Sequence, residues 1–249
     1  MGSEICAHLQ FKGIPFSKIG RDDNLLHHIS NVDAVINAAG YTGKPNVDAC
    51  ELDKENCLLG NVILPTQISE ICEKLEKPLV HVSSGCIYQG SRNWGDDDQP
   101  NFDLSFYSFS KAAAERILRN TNTRIMRIRM PFVDGIHPRC VLKKLSTYDK
   151  WLDGHNSITY LPEAAVAAVE LLKAPPGIYN ATNPGVITNG QIADYMGLKP
   201  DWWDWEEFYM VGHTPRSFCT LDSTKIQEYA NFTNVHTLMK KLFTKRKAA

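Results

Sequence analysis

Residues 79–84, Leu-Val-His-Val-Ser-Ser, form a short apolar run that ends in two hydroxyl side chains. A second short run, Val-Ile-Asn at 35–37, is followed by the small residues Ala-Ala-Gly at 38–40. Segments with apolar residues at three- and four-residue spacing separate such runs, and this alternation is typical of βα units around a parallel sheet. The sequence therefore predicts an α/β fold whose ligands bind at the carboxyl ends of the strands.

The same patterns extend over most of the chain. Strands are predicted at residues 14–19, 34–37, 79–84, 124–129, 157–161 and 178–182. Helices are predicted at residues 47–75, 105–120, 141–148 and 163–173, with Gly60 and Pro65 breaking the first into two pieces. The alternation is regular up to about residue 135 and only partial afterwards, which predicts a smaller lobe at one end of the sheet.

Composition excludes several classes of protein. With 43% hydrophobic and 22% charged residues and a net charge of -1, the chain lacks the basic excess of nucleic-acid or anionic-membrane binders. No run approaches the roughly 18 apolar residues of a spanning helix, and no signal-peptide pattern opens the chain. Seven cysteines without paired spacing indicate reduced thiols rather than a metal site. We therefore expect a cytoplasmic protein without nucleic-acid, membrane or metal partners.

Tyr107 and Lys111 stand four residues apart in a predicted helix, so their side chains share one face. A lysine ammonium beside a phenol favours phenolate, which lowers the pKa of a tyrosine from about 10 toward working pH. Such a tyrosine can exchange a proton with a substrate. The spacing alone also fits a solvent-facing helix pair. Because Ser84 ends a strand about twenty residues upstream, the combination favours an active site at the sheet edge.

This order of elements, from the small residues after a strand to the hydroxyl after a later strand and then Tyr-x-x-x-Lys, resembles the short-chain dehydrogenases/reductases. The block N-A-A-G-Y-T-G-K-P-N-V-D-A-C-E at residues 37–51 is similar to the N-A-A-G-x-T-G-[KR]-P-N-V-D-x-C-E block of nucleotide-rhamnose epimerase/reductases, relatives of dTDP-4-dehydrorhamnose reductase. Shorter matches follow in family order at residues 85–88, 106–108, 127–131, 182–186 and 215–217.

The resemblance implies a Rossmann-like, doubly wound parallel sheet that binds NADP in residues 1–135. Residues 136–249 would mostly form a small C-terminal substrate-binding lobe, and the two parts would make a single compact unit. Family members open with a strand and a glycine-rich G-x-x-G-x-x-G turn. Here residues 1–6 align with the end of that turn and only Gly2 remains, so we expect the first strand and the glycine-rich turn to be missing.

A cofactor site is implied at several positions. Gly2 would lie at the pyrophosphate, and Lys111 would hold the nicotinamide ribose. Arg21 matches an arginine suited to a 2'-phosphate, which favours NADPH over NADH, although a surface arginine fits this position equally well. The remaining implied contacts are the small residues Ala38, Ala39 and Gly40.

The implied activity converts a UDP- or dTDP-linked 4-keto-6-deoxy-glucose to the corresponding nucleotide-L-rhamnose. Both C3 and C5 flank the ketone, so removal of either proton gives an enolate, and an acid on the opposite face inverts the centre. By resemblance Cys86 is one partner, with a buried packing cysteine as the alternative. The other is Lys144, with Lys143 kept open and an exposed helix lysine as the alternative for each.

In the second stage hydride reaches C4 while Tyr107 protonates the oxygen and Ser84 hydrogen-bonds it. Arg216 is the candidate for the diphosphate of the nucleotide sugar, since a guanidinium binds phosphate oxygens bidentately. Thr42 and Asn183 are candidates for the sugar pocket. A homodimer is compatible with the resemblance. The incomplete glycine turn leaves one alternative of another class, a non-catalytic or cofactor-deficient regulatory protein on the same scaffold.

Overall fold

The computed structural model describes residues 1–20, 23–44, 46–134, 137 and 140–247. Its centre is a four-stranded parallel sheet in the order β1-β2-β3-β4. Asn37 lies opposite His81 in this ladder and Ser84 opposite Ile128, so the carboxyl ends of the strands meet at one edge. The predicted parallel α/β fold is confirmed. The strands are Val35–Asn37 (β1), Leu79–Ser84 (β2), Thr123–Ile128 (β3) and Gly177–Asn180 (β4).

Helices cover both faces of the sheet. On one face, Val80 and Val82 pack with Ile5 of the helix Gly2–Phe11 and with the alanines of the helix Leu161–Glu170. On the opposite face, Leu79 packs against Ile68 of the helix Leu64–Lys74, as the period-two alternation of a strand requires. The α-helices are Gly2–Phe11 (α1), Leu25–Ser30 (α2), Lys54–Leu58 (α3), Leu64–Lys74 (α4), Phe106–Leu118 (α5), Val141–Leu145 (α6), Leu161–Glu170 (α7), Asn189–Met196 (α8), Trp205–Met210 (α9) and Val235–Lys247 (α10). Among the described residues, none of these is both long and apolar enough to cross a bilayer.

The strand predicted at residues 14–19 is absent, which corrects the sequence-based expectation. These residues form no ladder, and Ile14, Phe16 and Ile19 are 37 to 41% exposed. A strand needs a neighbour for its backbone groups. Within the described residues, β1 pairs with β2 alone, and no strand precedes α1. Residues 14–19 therefore have no neighbouring strand among the described residues.

The helical segment at residues 47–75 is interrupted twice, and the second interruption contains Gly60, as predicted. A 3-10 turn, Val47–Glu51, is separated from α3 by Leu52 and Asp53, and a π turn, Leu59–Ile63, then joins α3 to α4. Gly60 therefore lies in an interruption of the α-helix, whereas Pro65 does not break it. Pro65 stands in the first turn of α4, where the missing N–H of a proline costs little.

Residues after 135 supply more than a lobe. Strand β4 and helix α7 belong to the central layers, while a second core forms around Phe132, Ile158 and Leu238. The remaining strands have two residues each and form four separate pairs: Asn93–Trp94 with Thr220–Leu221, Pro131–Phe132 with Thr159–Tyr160, Lys150–Trp151 with Asp201–Trp202, and His155–Asn156 with Ile187–Thr188. The 3-10 turns Leu171–Lys173 and Lys225–Glu228 complete the elements. Residues after 135 thus contribute both to the central sheet layers and to the second core.

A buried ion pair fixes α5 against the sheet. Arg127 of β3 and Glu115 of α5 are 0 and 1% exposed, and the Arg127 Nη2 to Glu115 Oε2 distance is 2.8 Å. Ser83 Oγ donates to the other carboxylate oxygen at 2.6 Å. A carboxylate removed from water needs such donors. Because Tyr107 and Lys111 lie on the same helix, the pair also sets their position relative to Ser84.

Candidate active site

Tyr107 and Lys111 lie in the first two turns of α5, at the carboxyl edge of the sheet. The helix begins after Ser105, whose side chain accepts a hydrogen bond from the Ser108 N–H at 3.1 Å, as an N-cap residue does. Glu51 from the 3-10 turn accepts the Phe106 N–H at 2.7 Å. Tyr107 and Lys111 are both buried, and a hydrogen bond joins the Tyr107 phenol to the Ser84 hydroxyl. The geometry thus joins three residues that the sequence separates.

Protonation of this pair differs from the sequence-based expectation. Burial raises the pKa of Tyr107 above its usual range; negative charge on Cys86 adds to this, and the Ser84 hydrogen bond opposes it. The expected lowering by Lys111 does not dominate, because desolvation disfavours a phenolate. Burial also lowers the pKa of Lys111 to about 8, against the opposing attraction of Glu115. Tyr107 is therefore a phenol at neutral pH, able to donate its proton.

The Lys111 ammonium has unused hydrogen-bonding capacity. Among the hydrogen bonds of the described residues, Nζ makes one, to the Val82 carbonyl at 3.5 Å. A Cβ atom placed on Gly40 would lie 3.4 Å from Nζ and 3.3 Å from Asn61 Oδ1, so glycine keeps this space open. A buried cation with free donors beside an open space fits the hydroxyls of a ribose. The residues present therefore fit a nicotinamide dinucleotide.

The other predicted cofactor residues border the same edge. Ala38, Ala39 and Gly40 follow β1, and the last two are exposed. Gly2 begins α1, and a Cβ placed on it would lie 3.9 Å from the Ala38 Cβ. This brings the positive end of the α1 dipole to the predicted dinucleotide face. Arg21 lies outside the described residues, so its contact with a 2'-phosphate stays a prediction.

Cys86 lies beside the tyrosine, two residues after Ser84. Its backbone N–H donates to Ser84 Oγ at 3.1 Å, and the side chain is partly buried in a cluster with Cys50, Cys57 and Tyr107. Arg129 Nη1 donates to the Cys86 sulfur at 3.4 Å. The thiol therefore belongs to the same site as the predicted proton donor, and its partial exposure distinguishes it from a simple core cysteine.

The second acid–base candidate comes from the start of the C-terminal part. Lys143 and Lys144 both lie in α6, where Lys143 is exposed and Lys144 is half-buried. The Lys144 N–H donates to the Cys140 carbonyl at 3.0 Å. Half-burial favours Lys144 over Lys143 for work inside a cleft. The pairing of either lysine with Cys86 stays a prediction.

The three predicted substrate residues have different surroundings. Thr42 is exposed in the loop after β1. Arg216 donates both terminal nitrogens to Asp48, at 2.6 and 2.7 Å. Asn183 is buried, and its amide donates to Glu163 and to the Thr233 carbonyl at 2.7 and 2.8 Å. Both Asn183 amide hydrogens are thus used internally, so the geometry supports a structural role in place of the predicted sugar contact.

Sequence reasoning missed the support behind Tyr107. Asn61, in the π turn, donates to Ser110 Oγ at 3.0 Å and accepts the Tyr41 N–H at 2.8 Å. Ser110 in turn donates to the Tyr107 carbonyl at 2.8 Å. A buried asparagine next to Gly60 was the available signal, but spacing does not predict a π turn. Asn61 therefore connects the loop after β1 to α5.

Comparison with known proteins agrees with this geometry. Residues 17–150 match the family described as the RmlD substrate binding domain. The bifunctional dTDP-4-dehydrorhamnose 3,5-epimerase/dTDP-4-dehydrorhamnose reductase of Arabidopsis thaliana is 37% identical over 210 residues, covering 78% of this chain and 70% of that protein. Among the described residues, no group of three or more His, Cys, Asp or Glu side chains is arranged to hold a metal ion.

Solved structures have the same fold. The L780 UDP-rhamnose synthase of Acanthamoeba polyphaga mimivirus superposes with a TM-score of 0.88 at 22% identity, over 98% of this chain and 95% of that one. The dTDP-4-dehydrorhamnose reductase of Bacillus anthracis in complex with NADP gives 0.77 at 14% identity, over 98% and 94%. The family model matches more than half of the chain, and the relative from Arabidopsis thaliana is 37% identical to it. The chain therefore belongs to the RmlD family of dTDP-4-dehydrorhamnose reductases and nucleotide-rhamnose synthases, as its motifs predicted.

Proposed function

We propose that the chain converts a nucleotide-linked 4-keto-6-deoxy-glucose to a nucleotide-linked L-rhamnose by 3,5-epimerisation and 4-keto reduction. One observation carries this proposal: Ser84, Cys86 and Tyr107 lie together at the carboxyl end of β2, beside the buried Lys111. The 37% identical relative from Arabidopsis thaliana bears both activities in its name. A reductase pair and a thiol in one site match a two-stage reaction.

In the reduction stage Tyr107 gives its proton to the C4 oxygen. Its raised pKa keeps the phenol protonated at neutral pH, and the Ser84 hydroxyl beside it would hydrogen-bond the same oxygen. Gly2, Ala38, Ala39, Gly40 and Lys111 would hold NADPH, which supplies the hydride for C4. Lys111 positions the ribose and leaves a positive charge near the oxygen as charge develops there. Arg21 would favour NADPH over NADH.

In the epimerisation stage Cys86 and Lys144 act on the carbons that flank the ketone. The Cys86 thiolate takes the proton, the C–H electron pair moves into the enolate, and Lys144 returns a proton from the opposite face. Support for Cys86 comes from its place two residues after Ser84, where the sulfur and the hydroxyl serve one ketone. Support for Lys144 over Lys143 comes from its half-burial.

The nucleotide part would bind toward the C-terminal residues. Arg216 is the candidate for the diphosphate, and Thr42 is an exposed candidate for the sugar. Seven free cysteines support the expectation of a cytoplasmic, reducing compartment. A homodimer stays a prediction, which sedimentation at several concentrations tests. The alternative of a non-catalytic regulatory protein is not favoured, because the relatives are named as enzymes and the reductase residues are assembled.

The proposal is tested with the purified chain, NADPH, and UDP- or dTDP-4-keto-6-deoxy-glucose. We expect NADPH consumption and a product with the proton couplings of L-rhamnose by NMR. The Tyr107→Phe variant should lose this NADPH consumption, and Tyr148→Phe is its matched control, since Tyr148 is 46% exposed and is not among the proposed site residues. If the chain bound these nucleotide sugars but converted neither the UDP-linked nor the dTDP-linked one, the result would contradict the proposal and favour the regulatory alternative.

A further inference from the structure

Arg129 is a buried cation that contacts the thiol of the candidate site. It follows β3 directly and is 1% exposed. Its Nη1 donates to Cys86 Sγ at 3.4 Å and to Ser217 Oγ at 3.1 Å. Its Nη2 donates to Asn156 Oδ1 at 2.6 Å and to the Ser217 carbonyl at 2.5 Å. The guanidinium thus connects the sheet edge, the sulfur and the C-terminal part.

Arg129 differs from the nearby Arg127, whose charge is neutralised by a carboxylate. Arg127, two residues earlier and within β3, is paired with Glu115. Among the described residues, Arg129 forms no ion pair with a carboxylate, and its Nε has no hydrogen-bond partner. Burying a cation without a carboxylate partner is unfavourable, because the cation loses its hydration. The titratable groups that face it are the thiols of Cys86 and Cys219. Of these, Cys86 is the partly exposed one.

We infer that Arg129 is a positioning residue for Cys86, holding the sulfur toward the sugar and complementing its negative charge when it acts as a base. This inference rests on the proposed epimerisation by Cys86. In that step the sugar C–H bond breaks, an S–H bond forms, and the electron pair moves to the ketone oxygen. The sulfur must carry negative charge before the transfer, and a guanidinium 3.4 Å away stabilises that charge.

A structural role alone makes a different prediction. If Arg129 only ties Asn156 and Ser217 to the sheet, its replacement disturbs the whole site and slows both stages together. If it acts through Cys86, replacement slows proton exchange more than reduction, because among the described residues Arg129 forms no hydrogen bond with Tyr107 or Lys111. The ratio of the two rates therefore separates the two roles.

The experiment compares Arg129→Met, Arg129→Lys and Cys86→Ser in the full chain. Exchange is measured as deuterium entry from D2O into UDP-4-keto-6-deoxy-glucose, and reduction as NADPH oxidation by the already epimerised 4-keto sugar. We expect Arg129→Met to lower exchange about 100-fold while reduction changes less than about threefold. Arg129→Lys, which keeps the charge, should regain about tenfold of the exchange. Alkylation of Cys86 by iodoacetamide should slow in Arg129→Met, because the thiolate is the reactive form.

The matched control is the Arg124→Lys substitution at the other end of β3, where the arginine side chain donates hydrogen bonds to the Ala174 and Asn122 carbonyls. It should leave both rates unchanged. Equal loss of exchange and reduction in Arg129→Met, or unchanged alkylation, would overturn the inference. If Arg129→Met fails to fold, the same ratio in Arg129→Lys decides. Full exchange in Cys86→Ser would instead refute the thiol's proposed role, which separates the two failures.

Discussion

Asp48 and Arg216 form a bidentate ion pair across 168 residues of sequence, with distances of 2.6 and 2.7 Å. Asp48 belongs to the 3-10 turn after the loop that follows β1, and Arg216 directly precedes Ser217, which contacts Arg129. Both side chains are about 30% exposed, so solvent and substrate can reach them. A diphosphate presents the same paired oxygens as a carboxylate. Asp48 therefore competes with the proposed substrate for the guanidinium.

Asp48→Asn should lower the KM for the nucleotide sugar, because it frees Arg216, while Arg216→Met should raise KM by about tenfold or more with a smaller change in kcat. Steady-state kinetics with each variant and the parent checks this. A rise in KM for both variants would mean that the pair is a structural connection and that the diphosphate binds elsewhere.

Tyr107→Phe should lower 4-keto reduction by more than about 100-fold, or roughly 2.7 kcal/mol of barrier, because only the proton donor is removed. NADPH oxidation by an epimerised 4-keto sugar is the measurement. Deuterium exchange at C3 and C5 should persist in this variant. Turnover within tenfold of the parent would remove Tyr107 from the acid role.

The pH dependence of reduction should reflect Lys111. Its ammonium is charged below a pKa of about 8 and neutral above it, whereas Tyr107 stays protonated over the same range. The rate should therefore be level from pH 6 to 7 and decline as the pH rises past about 8. A pH–rate profile at saturating cofactor and substrate tests this. A rate that keeps rising above pH 9 would contradict a role for charged Lys111.

Lys111→Met should stabilise the fold while abolishing reduction. Burial lowers the pKa of Lys111 from 10.5 to about 8, so the unfolded chain binds the proton more tightly, and the charge costs roughly 3 kcal/mol of folding free energy below pH 8. That difference should shrink as the pH rises from 8 toward 10.5. Urea unfolding of both proteins at pH 7 and pH 10 measures it. Equal or lower stability of the variant at pH 7 would be the contrary result.

Local patterns predicted the central elements well and the long-range contacts poorly. Strand β2 has the predicted bounds, because a β-branched run buried on both faces is recognisable along the sequence. Residues 14–19 were also predicted to form a strand, but they have no neighbouring strand among the described residues, and pairing is not a local property. Nor could spacing reveal that Arg216 meets Asp48 or that Arg129 meets Cys86, since each contact depends on the folded arrangement of distant loops.

Burial likewise overrode simple pair chemistry at Tyr107. The spacing correctly placed Tyr107 and Lys111 on one helix, but desolvation reversed the expected direction of the tyrosine pKa. Asn183 shows the same limit, because a polar residue in a family motif became fully engaged inside the fold. Sequence identifies the residue types of a site more reliably than their surroundings.

The one-sided pairing of β1 has a consequence for handling the protein. Its three residues leave backbone donors and acceptors on the outer side without a ladder among the described residues, and such groups are templates for another chain. Concentrated samples are therefore expected to aggregate through this edge. Because so short a strand offers few hydrogen bonds, the aggregation should be weak, reversible on dilution, and blocked by a proline placed at Ile36.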